Sequence, residues 1–399
     1  MTREQIDILV VGGGIAGLVA AAAMGRAGYR TVLVDPTPPV TDGTAQGADL
    51  RSTAFLRPAR DLFAHIGIWT ALRPHATPLE ALRVVDTSGD PVTVRAERTF
   101  RGAEMGDEPF GWNFLNWVIR RELLAIIPTI PDVELRYGTG FKSLVNRTAG
   151  AIVTLSDGSQ VQAKLVIGAD GRDSPLRDAA GIGVHTTRYG QKSLAFTATH
   201  ALPHRFISTE IYRTGGPFTM VPLPDVGGQP ASAIVWMNPG PRAEALRAMD
   251  DDAFNAEMTE RSAGLFGPMQ IASPKGIFPI ISQHARHLTE GRIALIAEAA
   301  HVLPPIGAQG LNTSLNDISE LLTRIETAPA DPGAAATLQA YERKRLPDIT
   351  ARARAIDLFN RVTRGSGDLS QMLRLSGLTL AHDITPVRRG LMRAGMAPL

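Results

Sequence analysis

No cysteine occurs in the 399 residues. That absence excludes disulfides, thiolate metal sites, iron–sulfur ligation and thiol catalysis, and it fits a reducing compartment. Long apolar runs are missing as well: no window approaches the ~20 apolar residues of a membrane-spanning helix. The N-terminus, MTREQIDILVVGGG, places an acid inside its short apolar stretch and a glycine turn directly after it, which argues against a secretory signal. The chain therefore reads as cytoplasmic. The nine histidines show no ligand spacing, so no metal is expected. No Ser-His-Asp arrangement is visible, and no nucleic-acid partner is expected.

What is present is ordinary for a soluble protein, with 44% hydrophobic and 20% charged residues. The length allows two or three domains, each with its own core. The net charge of +2 is unevenly placed. From Tyr341 to Leu399 eleven Arg/Lys face five Asp/Glu, so this tail carries +6 and the remainder −4. Such a tail fits an anionic surface or partner, or simply a solvated helical face.

Ile6–Val11 has the pattern of a buried parallel strand. Glycines, an alanine-rich helix over Ile15–Gly28 and a second strand over Arg30–Asp35 follow, and together they make a βαβ unit. Further along, Ser52–Leu72 and Val118–Ile127 read as helices. Leu82–Val94 reads as a hairpin turning through Asp86–Asp90. Val133–Tyr137, Ile152–Leu155 and Lys164–Gly168 read as strands. From Gly190 to Asn238 apolar and polar residues alternate, the signature of antiparallel sheet with one exposed face. Arg242–Ser262 reads as a helix, Arg292–Ala297 as a buried strand delivering Glu298, and nearly everything after Leu338 as helix.

Three motifs carry chemistry. In the first, Gly12, Gly14 and Gly17, with Ile15 and Ala16 between, match G-x-G-x-x-G. The first glycine makes the tight turn, the second admits a pyrophosphate, and the third lets helix and strand pack closely. The phosphates then meet the helix N-terminus, and Asp35 closes the next strand, where an acid bonds a ribose 2′-OH. In the second motif a strand ends in Asp170-Gly171-Arg172. The same stretch reads as a helix start capped by Ser174 with Pro175 in the first turn. The third motif, Gly291–Asp317, carries Glu298 and His301. It continues through Pro304-Pro305, Gly307, Gln309 and Gly310-Leu311-Asn312, small residues that let a flat ring lie against backbone. N–H groups opening the next helix then face the electron-rich edge of that ring.

In this order the three motifs resemble the class A flavoprotein monooxygenases of the para-hydroxybenzoate hydroxylase fold. A narrower resemblance is to the ubiquinone-biosynthesis hydroxylases. It rests on Asp49–Ala54 with Ile66–Trp69, on Gly216–Leu223, on Ala233–Trp236, on Tyr341–Arg345 with Asp348, and on Leu375–Leu380 with Pro386–Arg389. The resemblance implies non-covalent FAD held by the glycine fingerprint and Asp35. It implies that Asp170-Gly171-Arg172 serves both FAD and the nicotinamide donor, that Arg51 and Arg120 lie near the flavin and its phosphates, and that Glu298 lies at the ribityl chain. The family usually has Gly-Asp where this chain has Ala297-Glu298, which keeps the charge and changes its reach. The implied reaction reduces FAD with a reduced nicotinamide or another reductant. O2 then adds as a flavin C4a-hydroperoxide that hydroxylates a phenolic ring. His301 and Pro305 are the candidates closest to the chemistry.

The expected fold is α/β: a Rossmann-like FAD-binding domain from residues 1–78, 101–182 and 275–340, an antiparallel-sheet substrate domain from 79–100 and 183–274, and a helical C-terminal segment, 341–399. The expected substrate is a polyprenylated phenol of ubiquinone biosynthesis. Alternatives are a degradative hydroxylase of small aromatic acids and a non-catalytic flavin-binding complex subunit. Such an enzyme sits at the inner face of a membrane as a peripheral protein or in a biosynthetic complex. The segment from about Arg352 to Leu399 is the candidate contact. It carries apolar Leu369, Met372, Leu373, Leu375, Leu378 and Leu380 and basic Arg374, Arg388, Arg389 and Arg393. The same pattern also fits helices packed on the core.

Overall fold

The structure, a computed structural model, describes residues 3–89, 92–213, 215–364 and 382–396. Its first sheet has a parallel centre in the order Ile293–Leu295, Gln160–Gly168, Glu4–Val11, Thr31–Asp35 and Val133–Tyr137. Ile8, Leu9 and Val10 are fully buried, because helices cover both faces of such a sheet. The helix Ile15–Arg26 is buried from Ile15 to Gly25, as expected for a helix that is apolar all round. It packs against the long helix Gln309–Glu326. An antiparallel hairpin, Phe141–Arg147 and Gly150–Leu155, extends the sheet from the first half of Gln160–Gly168.

The second sheet has nine strands. Val184–His200 lies between Gly276–Ala285 and Gln229–Pro239, and the order continues through Gly216–Val226, Ile207–Arg213, Ala81–Ser88 and Thr93–Arg101. The alternation read in the sequence sorts its two faces. Leu194, Phe196, Phe218 and Trp236 form a core with Phe254 and Met258 from the helices behind. Ser193, Ala195, Thr219, Val221 and Ala233 face the other way, toward the first sheet's loops. The strands within 190–238 pair antiparallel, but Ile207–Arg213 meets Ala81–Ser88 in parallel.

Three local readings need correction. Ser52–Leu56 is a strand paired with Gly111–Leu115, and the helix starts only at Arg57, with Pro58 in its first turn. The ladder partner and the Asn312 amide, which bonds Leu56 N and Ala54 O, override the helical pattern there. The helix read over Arg242–Ser262 is two helices, Gly240–Ala248 and Asp251–Arg261. The second is capped by the Asp250 carboxylate on Ala253 N at 2.9 Å. The strand read to Ala297 ends at Leu295, and Ala297–Ala300 is one turn of helix.

The helix Ala335–Arg364 binds the two sheets together. Arg345, 1% exposed, donates to Asp317 Oδ1 at 2.9 Å and pairs with Asp348. Asp348 accepts from Arg352 Nε at 2.9 Å, and Arg352 reaches Gln309 Oε1 at 2.7 Å. Further on, Asn360 donates to Gln191 of the second sheet. Beyond the undescribed stretch, Asp383 pairs with Arg98 and Arg388 with Glu104, so Thr385–Met396 docks beside Thr93–Arg101. The described part of the tail is thus tied to the body of the protein at Arg345, Arg352 and Asn360 and beside Thr93–Arg101 at Asp383 and Arg388. Leu369, Met372, Leu373, Arg374, Leu375, Leu378 and Leu380 lie outside the described residues.

Removing one partner from a buried ionic group leaves the others uncompensated. Arg345→Met is therefore expected to destabilise the protein by about 3–5 kcal/mol. Denaturant unfolding of the flavin-loaded protein measures this, and a loss under about 1 kcal/mol, the range of an exposed pair, would contradict the buried network.

Candidate active site

The fingerprint glycines separate by geometry. Gly12 has φ +111°, and a Cβ there would lie 2.3 Å from Ala169 O. A Cβ on Gly17 would lie 1.9 Å from Gly12 O, so strand and helix touch through it. Gly14, which starts the helix at Ile15, has nothing within 4 Å of its would-be Cβ. The first and third glycines are thus closed by the protein itself, and the second opens onto space in front of a helix N-terminus. Asp35 caps the arrangement: its Oδ2 accepts from Gly13 N at 2.6 Å and its Oδ1 from Thr37 N at 2.8 Å.

The second motif is partly structural. Asp170 accepts from Ser174 Oγ and from Leu176 N, and Ser174 Oγ accepts from Arg177 N. Burial raises the Asp170 carboxyl above its ordinary value. Gly171 and Arg172 line the cavity described below, and Asp170 sits behind them. Arg51 and Arg120 converge on one acid that the sequence reading quoted without a role. Asp49 accepts from Arg51 Nε at 2.7 Å and lies 3.6 Å from Arg120 Nη2. Burial works to raise Asp49, but the two arginines and Asn116 hold it below its usual value. Arg51 also lies over the Phe278 ring, 4.8 Å from its centroid. The two arginines are therefore held in place toward the cavity.

The third motif departs most from expectation. Glu298 stands on the one-turn helix, and its side chain is 52% exposed, 3.6 Å from Arg172 Nε. It is not the buried acid of this region. That acid is Asp317, whose Oδ2 accepts from Ala297 N at 3.1 Å and meets His301 Nε2 at 2.7 Å. Asn312 does not offer its side chain to a ligand. Its amide bonds Leu56 N, Ala54 O and Ala308 O and clamps the helix start to the neighbouring strand. Gly307 (φ +63°) and Ala308 (φ +55°) are both left-handed and swing the backbone into the start of Gln309–Glu326.

These pieces surround one cavity of about 580 Å³ between the first sheet's loops and the open face of the second. Gly14, Ile15, Ala16 and Gly17 bound one end, with Arg51 and Arg120 beside them. Partly exposed Arg172 and Glu298 line its rim, His301 and Pro305 line it further along, and Gly307, Gln309, Gly310 and Leu311 line the adjoining backbone wall. Gly12, Asp35, Asp170 and Asn312 do not line it. The sequence reading gave no role to Asp317 or Arg345, although an acid between Leu315 and Ile318 on a helix's buried face is a usable signal. It also gave none to Glu210, which lines the sheet side of the cavity. Nothing in the alternating pattern of that strand marks an acid as buried.

The sequence family described as the FAD binding domain matches residues 5–355. The chain belongs to that family. Its relatives include the ubiquinone hydroxylase UbiL of Rhodospirillum rubrum, 32% identical over 98% of this chain and 90% of that one. They also include the 3-demethoxyubiquinol 3-hydroxylase of Escherichia coli, 26% identical over 90% of each. Among solved structures, p-nitrophenol 4-monooxygenase PnpA of Pseudomonas putida superposes with a TM-score of 0.79 at 17% identity, covering 98% of this chain and 97% of that one. PqsL of Pseudomonas aeruginosa superposes at 0.75 and 22%, covering 90% and 97%. These two likenesses establish the para-hydroxybenzoate hydroxylase fold. The chain is an FAD-dependent aromatic monooxygenase.

The residues present fit FAD. The open front of Gly14 leaves room for a pyrophosphate at a helix N-terminus. The glycine-rich wall at 307–310 leaves room for a flat ring, with the opening N–H groups of Gln309–Glu326 beside it. Gly14→Val is expected to abolish FAD binding while the fold survives, because its side chain would fill only the empty approach. Gly17→Ala is expected to lose fold and flavin together. Flavin absorbance and circular dichroism of the two variants separate the effects, and a yellow Gly14→Val protein would contradict the assignment. Glu298→Gln is expected to change stability by less than about 1 kcal/mol, since the group is half exposed and weakly paired, and to impair flavin binding or reduction instead. Thermal unfolding and stopped-flow reduction with a reduced nicotinamide check this, and full reduction rates would remove Glu298 from the site.

Proposed function

We propose that the protein hydroxylates the aromatic ring of a polyprenylated phenol in ubiquinone biosynthesis. The observation that carries this reading is the end-to-end likeness to a ubiquinone hydroxylase, 32% identical over 98% of the chain. The cavity is compatible with it. One wall is the backbone cradle at 307–310. The other is a sheet face whose side chains, such as Leu82, Val221, Ala233 and Val235, are mostly apolar and suit a prenylated ring.

Bound FAD supplies the electron-accepting and oxygen-activating chemistry. The chain's own residues have other work. Gly12, Gly14 and Gly17 set the helix N-terminus on the pyrophosphate, Asp35 stands at the ribose position, and Arg51 and Arg120, fixed by Asp49, face the phosphates and ring. Arg172 and Glu298 stand at the rim. Pro305 and the backbone to Leu311 hold the ring plane, and the second sheet excludes water from the reacting face. His301, held by Asp317, which in turn pairs with Arg345, positions the loop that carries Pro305. A prenylated substrate resides in a bilayer, so the reading includes peripheral association with a membrane or a biosynthetic complex. Exposed Leu358, beside Arg354 and Arg361 on the helix Ala335–Arg364, supports such a contact.

Two measurements test this. Cells lacking the protein are expected to accumulate a prenylated quinone precursor short of one hydroxyl, detected by mass spectrometry. The purified enzyme with a reductant and O2 is expected to turn over a prenylated phenol in preference to a small hydroxybenzoate. Preference for the small acid would favour a degradative hydroxylase. No reductant- and oxygen-dependent product with either would favour a flavin-binding subunit without turnover.

A further inference from the structure

Glu210 is a carboxyl in an unusual place. It stands on the strand Ile207–Arg213, is 8% exposed, and lines the cavity from the sheet side. Tyr212 donates its hydroxyl to Glu210 Oε2 at 2.5 Å, and the backbone N–H of Gly307 lies near enough to act against the rise of the same carboxyl. No arginine, lysine or histidine pairs with it among the described residues. Burial pushes the carboxyl above its ordinary value, against the two donors. An ionised carboxylate has about four acceptor positions, so the Tyr212 bond leaves acceptor capacity on a carboxyl that lines the cavity. The other ionisable groups on the cavity wall are Asp49, Arg51, Arg120, Arg172, Glu298 and His301. The first three form one cluster, Arg172 and Glu298 pair at the rim, and His301 is bonded to Asp317. Along the sheet face Glu210 is therefore the ionisable group among apolar residues and the hydroxyls of Ser208 and Thr219.

The position has a chemical meaning. Gly307 belongs to the backbone wall that fits the flavin ring, and Glu210 lines the same cavity near it, at the seam where substrate ring and flavin ring must meet. Burying an acid without a cation is unfavourable, and folds tolerate such a conflict at functional sites. Tyr212 fixes the acid's orientation. Burial and the adjacent carboxylate raise its phenol well above the usual value, so it stays a donor, and Phe359 of the C-terminal helix packs edge-on against its ring at 5.6 Å.

We propose that Glu210 accepts the hydrogen bond, and in the reaction the proton, of the ring hydroxyl of the phenolic substrate. The inference rests on the reading of the protein as a phenol hydroxylase. The O–H bond breaks toward Glu210, the electron pair stays on the ring oxygen, and the ring becomes more nucleophilic at the carbon to be hydroxylated. That carbon gains a hydroxyl group from O2, which is reduced, through bound FAD, by two electrons from the reductant together with two protons. Its own proton leaves with the second oxygen atom as water, and Glu210 returns its proton to the ring oxygen. Glu210 ends as it began, and no further oxidant is needed. Tyr212 acts through Glu210 and is a positioning residue.

The test compares binding of ortho-prenylphenol and its methyl ether to the FAD-loaded protein, read from the perturbation of the flavin spectrum. The wild type is expected to prefer the phenol by about 10- to 100-fold, the worth of one hydrogen bond to a charged group. Glu210→Gln keeps an acceptor for Tyr212 and Gly307. It is expected to retain full flavin, bind the ether unchanged, lose most of that preference and release hydrogen peroxide in place of product. Tyr212→Phe is expected to lose a smaller part of the preference. If Glu210 only latches the sheet to Gly307, Glu210→Gln keeps the whole preference, and the proposal is overturned while phenol hydroxylation stands. A wild type that hydroxylates the phenol yet binds both ligands equally also overturns it alone. A wild type that neither binds nor hydroxylates the phenol overturns both the proposal and the reading beneath it.

Discussion

The structure depends on one buried carboxylate. Asp317 has no exposed surface and bonds the backbone of Ala297, the ring of His301 and the guanidinium of Arg345. Burial alone would raise its carboxyl, but His301 and Arg345 hold it below the ordinary value. Asp317 and these partners lie on three different stretches of chain. The loop after the last parallel strand, the helix Gln309–Glu326 and the helix Ala335–Arg364 therefore reach their places together or leave an isolated charge in the interior. The chain of pairs continues through Asp348 and Arg352 to Gln309. It thus ends on the first residue of the helix whose N-terminus opens at the cavity.

Around this anchor the backbone is strained in two places. Ala297 and Ala308 both have φ near +55°, a conformation that costs a side-chain-bearing residue about 1–2 kcal/mol. Each is held by a polar side chain. Asp317 accepts from Ala297 N, and the Asn312 amide donates to Ala308 O. The strain brackets the segment that carries Glu298, His301, Pro305 and Gly307. Where the resembling family has glycine, Ala297 keeps the left-handed turn and relies on its neighbours to maintain it.

The second sheet turns a binding fold into a reaction chamber. One face is filled by Phe254, Met258 and the aromatic residues above them, so it is rigid. The other is free to carry the cavity's apolar lining and Glu210. The C-terminal helix closes the junction through Asn360 on Gln191 and Phe359 on Tyr212. A segment that in sequence reads equally as a membrane contact or a packed helix is, over its buried stretch, the brace between the two sheets, with its exposed side left for contacts outside.

Much of this was legible from residue order. The βαβ unit, the glycine fingerprint, Asp35 and the alternating strands of 190–238 follow from local periodicity and from the steric demands of glycine, which act over a few neighbours. Apart from the break between Gly240–Ala248 and Asp251–Arg261, which the local Asp250 cap makes, the corrections concern distant partners. Ser52–Leu56 is a strand because Gly111–Leu115 and Asn312 lie beside it. Glu298 is half exposed because the chain turns at Ala297 to meet Asp317, twenty residues on. Glu210 and Asp317 look like ordinary acids in their strand and helix. Their burial, and hence their chemistry, is decided by Gly307, His301 and Arg345, which only tertiary packing brings within hydrogen-bonding distance. By itself the sequence determined the cofactor and the fold, because both are written in backbone sterics and short spacings. Tertiary structure decided which acids are charged, buried and aimed at the cavity, because desolvation and pairing are properties of the assembled interior.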